Sequence, residues 1–79
     1  MTASRQDILN LILLERQRQY DLPGSEYDSK HTHNDWIAII NQYASRGVTR
    51  KHQKIDNEEF RDSLIKAAAV ILAALENNS

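Results

Sequence analysis

Residues 59–76 read Glu-Phe-Arg-Asp-Ser-Leu-Ile-Lys-Ala-Ala-Ala-Val-Ile-Leu-Ala-Ala-Leu-Glu, and the reading of this stretch decides the fold. From Leu64 to Leu75 only Lys66 is polar, and no Gly or Pro interrupts the run. Ala and Leu favour the helix over any other regular structure, so a helix is predicted here. Phe60, Leu64, Ala67, Ile71 and Ala74 follow the 3, 4 spacing of one face, while Ile65, Ala69, Val70, Leu72 and Ala73 make the rest apolar too. A helix apolar all round has no face for solvent and is expected to be buried. The run is shorter than the roughly 20 residues that a bilayer requires, which makes it a core helix rather than a membrane span. Its alanines let neighbouring helices approach closely. Asp56 followed by Glu59 has the spacing of an N-cap with a reciprocal acid, and acids suit the positive end of the helix dipole, so the helix is predicted from about residue 57 to 77.

The chain around this helix has 79 residues, a formal net charge of -1 and no cysteine. A chain of this length forms one domain, 1–79, that buries barely enough surface to offset its conformational entropy. Without cysteine, disulfides and thiolate metal sites are excluded, and oligomerisation is the remaining way to add buried surface. An all-apolar helix with so few partners makes the same demand, so a homodimer or a higher homo-oligomer is expected. The near-zero charge argues against bulk attraction to nucleic acid or to anionic lipid. The N-terminal run mixes acid and polar residues into its apolar positions, which speaks against a secretory signal, and a cytoplasmic location is expected.

Towards the N-terminus, Ser4 and Asp7 resemble a capping box with Asp in place of Glu, and no breaker follows until Pro23. A first helix is predicted over about 4–20. Ile8 and Ile12 share a face whose next positions are Glu15 and Gln19, with Arg16 and Arg18 at its edges. The apolar stripe thus turns polar halfway along. Either the helix outgrows its core and these residues are solvated, or the stripe opens into a polar cleft.

Residues 21–33 hold the only proline and one of the two glycines, which marks a turn and then a loop. Loops of this length are more often functional or flexible than mere connectors. Thr32 and Asp35 again have capping-box spacing, so a second helix is predicted from His33 to residue 46, with Gly47 as the residue that ends it. Trp36, Ile39, Ile40 and Tyr43 form its apolar face. Residues 48–55 carry Arg50, Lys51 and Lys54 with no acid, next to Arg46. They read as a solvated loop or as a phosphate-binding rim, with the acids that follow cancelling part of the charge. His31 and His33, near Asp28 and Asp35, are residue types that ligate transition metals. Two histidines beside a helix start are more often solvated or capping, and no metal site is assigned. No nucleophile-base set and no glycine-rich phosphate loop can be proposed.

Ile12-Leu-Leu-Glu-Arg-Gln-Arg-Gln19, a loop with His31 or His33, Trp36-Ile-Ala-Ile-Ile40 and the long run from Phe60 to Glu76 together resemble the small MazG-like proteins of phages and prophages, relatives of the all-α nucleoside triphosphate pyrophosphohydrolases. The resemblance spans most of the chain in short helical segments. It implies an all-helical, obligately oligomeric protein whose subunits jointly build a nucleotide site. In the active family a Glu-Glu-x-x-Glu motif follows the Trp segment, and a further acid opens the last helix, to hold Mg²⁺ against the triphosphate. The corresponding positions here are Gln42, Tyr43, Arg46 and Ser63, none of them a carboxylate. A hard cation needs charged oxygen ligands, and Arg46 would repel it. The resemblance therefore implies the scaffold without the hydrolase chemistry.

The sequence as a whole predicts an all-α, three-helix subunit of an oligomeric helical bundle, a phage-type protein that binds rather than catalyses and needs no cofactor. A phosphorylated, nucleotide-like ligand is expected to meet Arg16 and Arg18 through phosphate, Glu15 and Gln19 through base or ribose, and Trp36 or Tyr43 by stacking. His31 and His33 flank the site, and Arg46, Arg50 and Lys51 could close it from a neighbouring subunit. Two other functions remain open. One is a protein-interaction inhibitor or adaptor such as a phage anti-defence protein, with a host protein as partner; the other is a surviving pyrophosphohydrolase.

Overall fold

The structure, a computed structural model, describes residues 3–51 and 56–79, with side chains described for 3–46 and 56–79. Helix α1 spans Arg5–Tyr20, α2 spans His33–Lys51 and α3 spans Asn57–Asn77, and a short 3₁₀ helix, Ser25–Lys30, lies between α1 and α2. No strand occurs among the described residues. The chain is all-α over the described residues, in keeping with its helix-forming composition.

Each helix starts where a local side-chain bond can satisfy its first free amides. Ser4 Oγ accepts from the Asp7 amide at 3.1 Å, and Asp7 Oδ2 accepts from the Ser4 amide at 3.3 Å. Thr32 and Asp35 make the same reciprocal pair at 3.1 and 2.9 Å. Asp56 Oδ1 accepts from the Glu59 amide at 2.8 Å. Each such cap is worth about 1 kcal/mol. The backbone amide of Thr32, and after it the hydroxyl, also hold the Asp35 carboxyl below its ordinary pKa.

One predicted boundary needs correction. Helix α2 does not stop before Gly47 but runs on to Lys51, so the first part of the 48–55 segment is helix rather than loop. A glycine inside a helix costs only about 1 kcal/mol relative to alanine, and nothing after it is a breaker as strong as proline. Residues 52–55 lie outside the described residues. The 21–33 connection is not irregular throughout. Gly24 adopts φ +101°, a left-handed conformation that a side chain would strain, and it turns the chain into the 3₁₀ helix.

Helix α3 is central, with α1 packed on one side, α2 on the other, and the 3₁₀ helix also against it. The core centres on Trp36, Val70 and Ala73, with Ile39, Ile40, Tyr43 and Ala74 against them. The alanines do what their size allows: Ala69 is fully buried, and Ala67 and Ala73 nearly so. The expectation that α3 has no exposed face is overturned in the single chain. Phe60, Leu64, Ile71 and Leu75 are 41 to 64% exposed. The two flanking helices and the 3₁₀ turn cover only part of its circumference, so an all-apolar helix is left with one side open.

Candidate functional site

The C-terminal half of α1, the turn at Leu22–Ser25, the 3₁₀ helix and α2 enclose a cleft of about 200 Å³ whose floor is Val70 and Ala73 of α3. Arg16 and Gln19 project from α1, Asp28 from the 3₁₀ helix, His31 from the residue after it, and Trp36 and Tyr43 from α2. The His31 ring meets Trp36 edge-on with centroids 5.0 Å apart, and its Nε2 lies 4.0 Å from Asp28 Oδ1. The indole Nε1 of Trp36 is buried with no hydrogen-bond partner. An unpaired buried donor costs about 1–3 kcal/mol, which the aromatic packing of Trp36 must offset.

Arg16 is the cation of this cleft. Its Nε donates to Glu76 Oε1 at 3.0 Å, and its guanidinium lies over the Tyr20 ring at 5.6 Å. Only 16% of the side chain is exposed. No hydrogen bond runs from its two terminal nitrogens to any described residue, so they remain able to donate. Gln19 is held by its neighbours instead. Its amide donates to Glu15 Oε2 at 3.0 Å and to the Lys66 carbonyl at 3.4 Å.

Of the other residues singled out by sequence, Glu15 and Arg18 pair with each other, Arg18 donating at 2.9 and 2.6 Å. The Arg18 bonds, aided by Gln19, hold the Glu15 carboxyl below its usual pKa against the opposing effect of burial. Both side chains line a separate groove of about 750 Å³ between α1 and α3, together with Glu58, Arg61 and Asp62. Asp62 is tied there to Lys66 at 2.9 Å. The acids Glu15, Glu58 and Asp62 face the cations Arg18 and Arg61, with Lys66 paired to Asp62, so the charges around that groove nearly cancel. The polar turn of α1 is thus not solvated overhang: Glu15, Arg16 and Gln19 are all half-buried.

The structure separates the two histidines. His31 stands against Trp36, whereas His33 opens an apolar groove with Ile37, Ile40, Ile71 and Leu75 on the other side of α2. Arg46 stacks on the Tyr43 ring at 4.7 Å. The side chains of Arg50 and Lys51 lie outside the described residues. Of the four positions that the family resemblance pairs with metal-binding acids, Gln42 is exposed, Tyr43 lines the cleft, Arg46 stacks on the Tyr43 ring and Ser63 is buried on α3. Among the described residues, no three His, Asp or Glu side chains converge to hold a metal ion. Sequence reasoning missed Glu76 as the partner of Arg16 and the Leu22–Ser25 turn as a wall of the cleft. No local signal links residues 60 positions apart.

No family model matches the chain, and neither does any curated protein or any solved structure.

Proposed function

We propose that this is a non-catalytic, phage-type binding protein of the cytoplasm that assembles with copies of itself and captures a small anionic ligand carrying a ring, of which phosphorylated nucleotides are the leading class. The observation that carries the reading is Arg16, with terminal donors free of any described partner, in a cleft walled by Trp36, Tyr43 and His31. A planar ring and a phosphate are what aromatic walls and a guanidinium recognise together. At about 200 Å³ the cleft falls below the roughly 300 Å³ at which small-molecule pockets begin, so it takes one end of such a ligand while the remainder lies outside. The resemblance to MazG-like proteins supports the nucleotide class, and the missing carboxylates support capture over hydrolysis. Titration calorimetry with nucleoside mono- and triphosphates tests the reading. Saturable binding lost in Arg16→Ala is expected. Absence of binding by every nucleotide and by inorganic phosphate at millimolar concentration would overturn it.

A second reading, an adaptor or inhibitor acting on a host protein, such as an anti-defence protein, is favoured by the apolar side chains that the single chain leaves open on all three α-helices. Stoichiometric recovery of one host protein would favour it.

A further inference from the structure

We infer that the open face of α3, carrying Phe60, Leu64, Ala68, Ile71 and Leu75, is the seat of a second copy of this chain, packed antiparallel about a two-fold axis at the level of Ala67 and Ala68. The inference rests on the assembly part of the reading above and specifies its surface; it is independent of the ligand.

The five positions lie within a narrow arc of the helix at 100° per residue. The large ones are exposed, Phe60 at 50%, Leu64 at 44%, Ile71 at 41% and Leu75 at 64%. Two apolar grooves flank the stripe on the same face. One runs beside α1, where Ile8 meets Phe60 and Leu64; the other runs beside α2, where Ile37 and Ile40 meet Ile71 and Leu75. The face is therefore a continuous apolar surface across all three α-helices, not one isolated stripe.

What selects a second copy as the occupant is the symmetry of the stripe. A two-fold interface must be complementary to itself. Phe60 and Leu75 are equidistant in sequence from the midpoint between Ala67 and Ala68, and so are Leu64 and Ile71. Reversing the helix about that midpoint places Phe60 on Leu75 of the other copy and Leu64 on Ile71. The crossing point falls on alanine, the residue that lets two helices approach closely.

The area also fits. A compact monomer of 9.1 kDa is expected to expose about 4,900 Å². This chain exposes 6164 Å². The surplus of about 1,260 Å² exceeds the roughly 800 Å² that each partner contributes to a stable interface. The radius of gyration, 13.4 Å, likewise exceeds the ~12 Å of a compact domain of this length.

The native sequence has no cysteine, so an introduced thiol reports without background. At interaxial distances of 8–10 Å, facing Cα atoms of two helices stand roughly 3.5–5.5 Å apart, largely within disulfide reach. Ala68→Cys should therefore oxidise to a covalent dimer, as should a mixture of Phe60→Cys and Leu75→Cys chains, whereas Leu13→Cys on α1 should not. Unmodified protein should sediment as a dimer or a larger even assembly, and Ile71→Glu should reduce the assembled fraction at least tenfold at a given concentration. A monomeric unmodified protein would overturn both the assembly reading and this surface. An assembled protein in which Ala68→Cys stays unlinked, or one occupied by a different protein in place of its own copy, would overturn the surface alone. The crosslinks decide the matter even where Ile71→Glu fails to fold.

Discussion

Arg16 and Glu76, 60 residues apart, join the ends of α1 and α3 through a 3.0 Å bond from the guanidinium Nε to the carboxylate. The bond does two things at once. It fixes Arg16 on one nitrogen, and it places a carboxylate where an anionic ligand would compete for the same guanidinium. The two partners should therefore affect anion binding in opposite directions.

Removing the cation, Arg16→Ala, should weaken binding of nucleotide or inorganic phosphate about tenfold or more, since each charge-assisted bond is worth roughly 1.5–3 kcal/mol. Helical circular dichroism and assembly should be unchanged. Glu76→Gln should instead raise the affinity a fewfold by removing the competing charge. Calorimetric titration of both variants checks the signs, and a decrease in Glu76→Gln would show that the pair organises the site rather than competing with the ligand.

Acid should destabilise the fold through Glu15 and Asp35. Both carboxyls have folded-state pKa values below their ordinary ones, Glu15 through Arg18 and Asp35 through Thr32. Their contribution is complete above the unfolded-state range, about 4.3 for Glu and 3.9 for Asp, and is lost as pH falls through the lower folded values. Thermal melts should show little change from these groups between pH 7 and 5 and a decline below about pH 4. In Glu15→Gln part of that decline should disappear, and a profile superimposable on the unmodified protein would contradict the assignment.

Among the described residues, Trp36 is the one large side chain in the buried core. Trp36→Ala should cost about 3–5 kcal/mol, as for other large aromatic deletions. Trp36→Phe should cost much less, about 1–2 kcal/mol, because it also removes the buried Nε1 donor that has no partner. Urea unfolding of the two variants measures the difference. Equal losses would mean that the indole N–H is satisfied, by water for example.

No Mg²⁺- or Mn²⁺-stimulated release of pyrophosphate is expected from the common nucleoside or deoxynucleoside triphosphates. The physical reason is the side chains at the four positions that the resemblance pairs with metal ligands: an amide at Gln42, a phenol at Tyr43, a cation at Arg46 and a buried hydroxyl at Ser63. A pyrophosphate assay on protein free of host hydrolases checks this, and turnover abolished by Glu15→Gln would relocate the chemistry to the groove between α1 and α3.

The starts of the three helices were legible in the chain itself, because Ser4 with Asp7, Thr32 with Asp35 and Asp56 with Glu59 are local partners whose geometry follows from their spacing. The polar interruption of α1 was legible for the same reason, as a break in periodicity at Glu15. Where α2 ends was not, since Gly47 is compatible with both a stop and a continuation. Only the tertiary structure decided which histidine meets Trp36, where Arg16 finds a carboxylate, and which side of α3 stays open. A helix apolar all round contains no periodic signal to choose a face. That choice is made by the helices and the 3₁₀ turn packed around it, which cover Ala69 and Ala73 but leave Phe60, Leu64, Ile71 and Leu75 exposed.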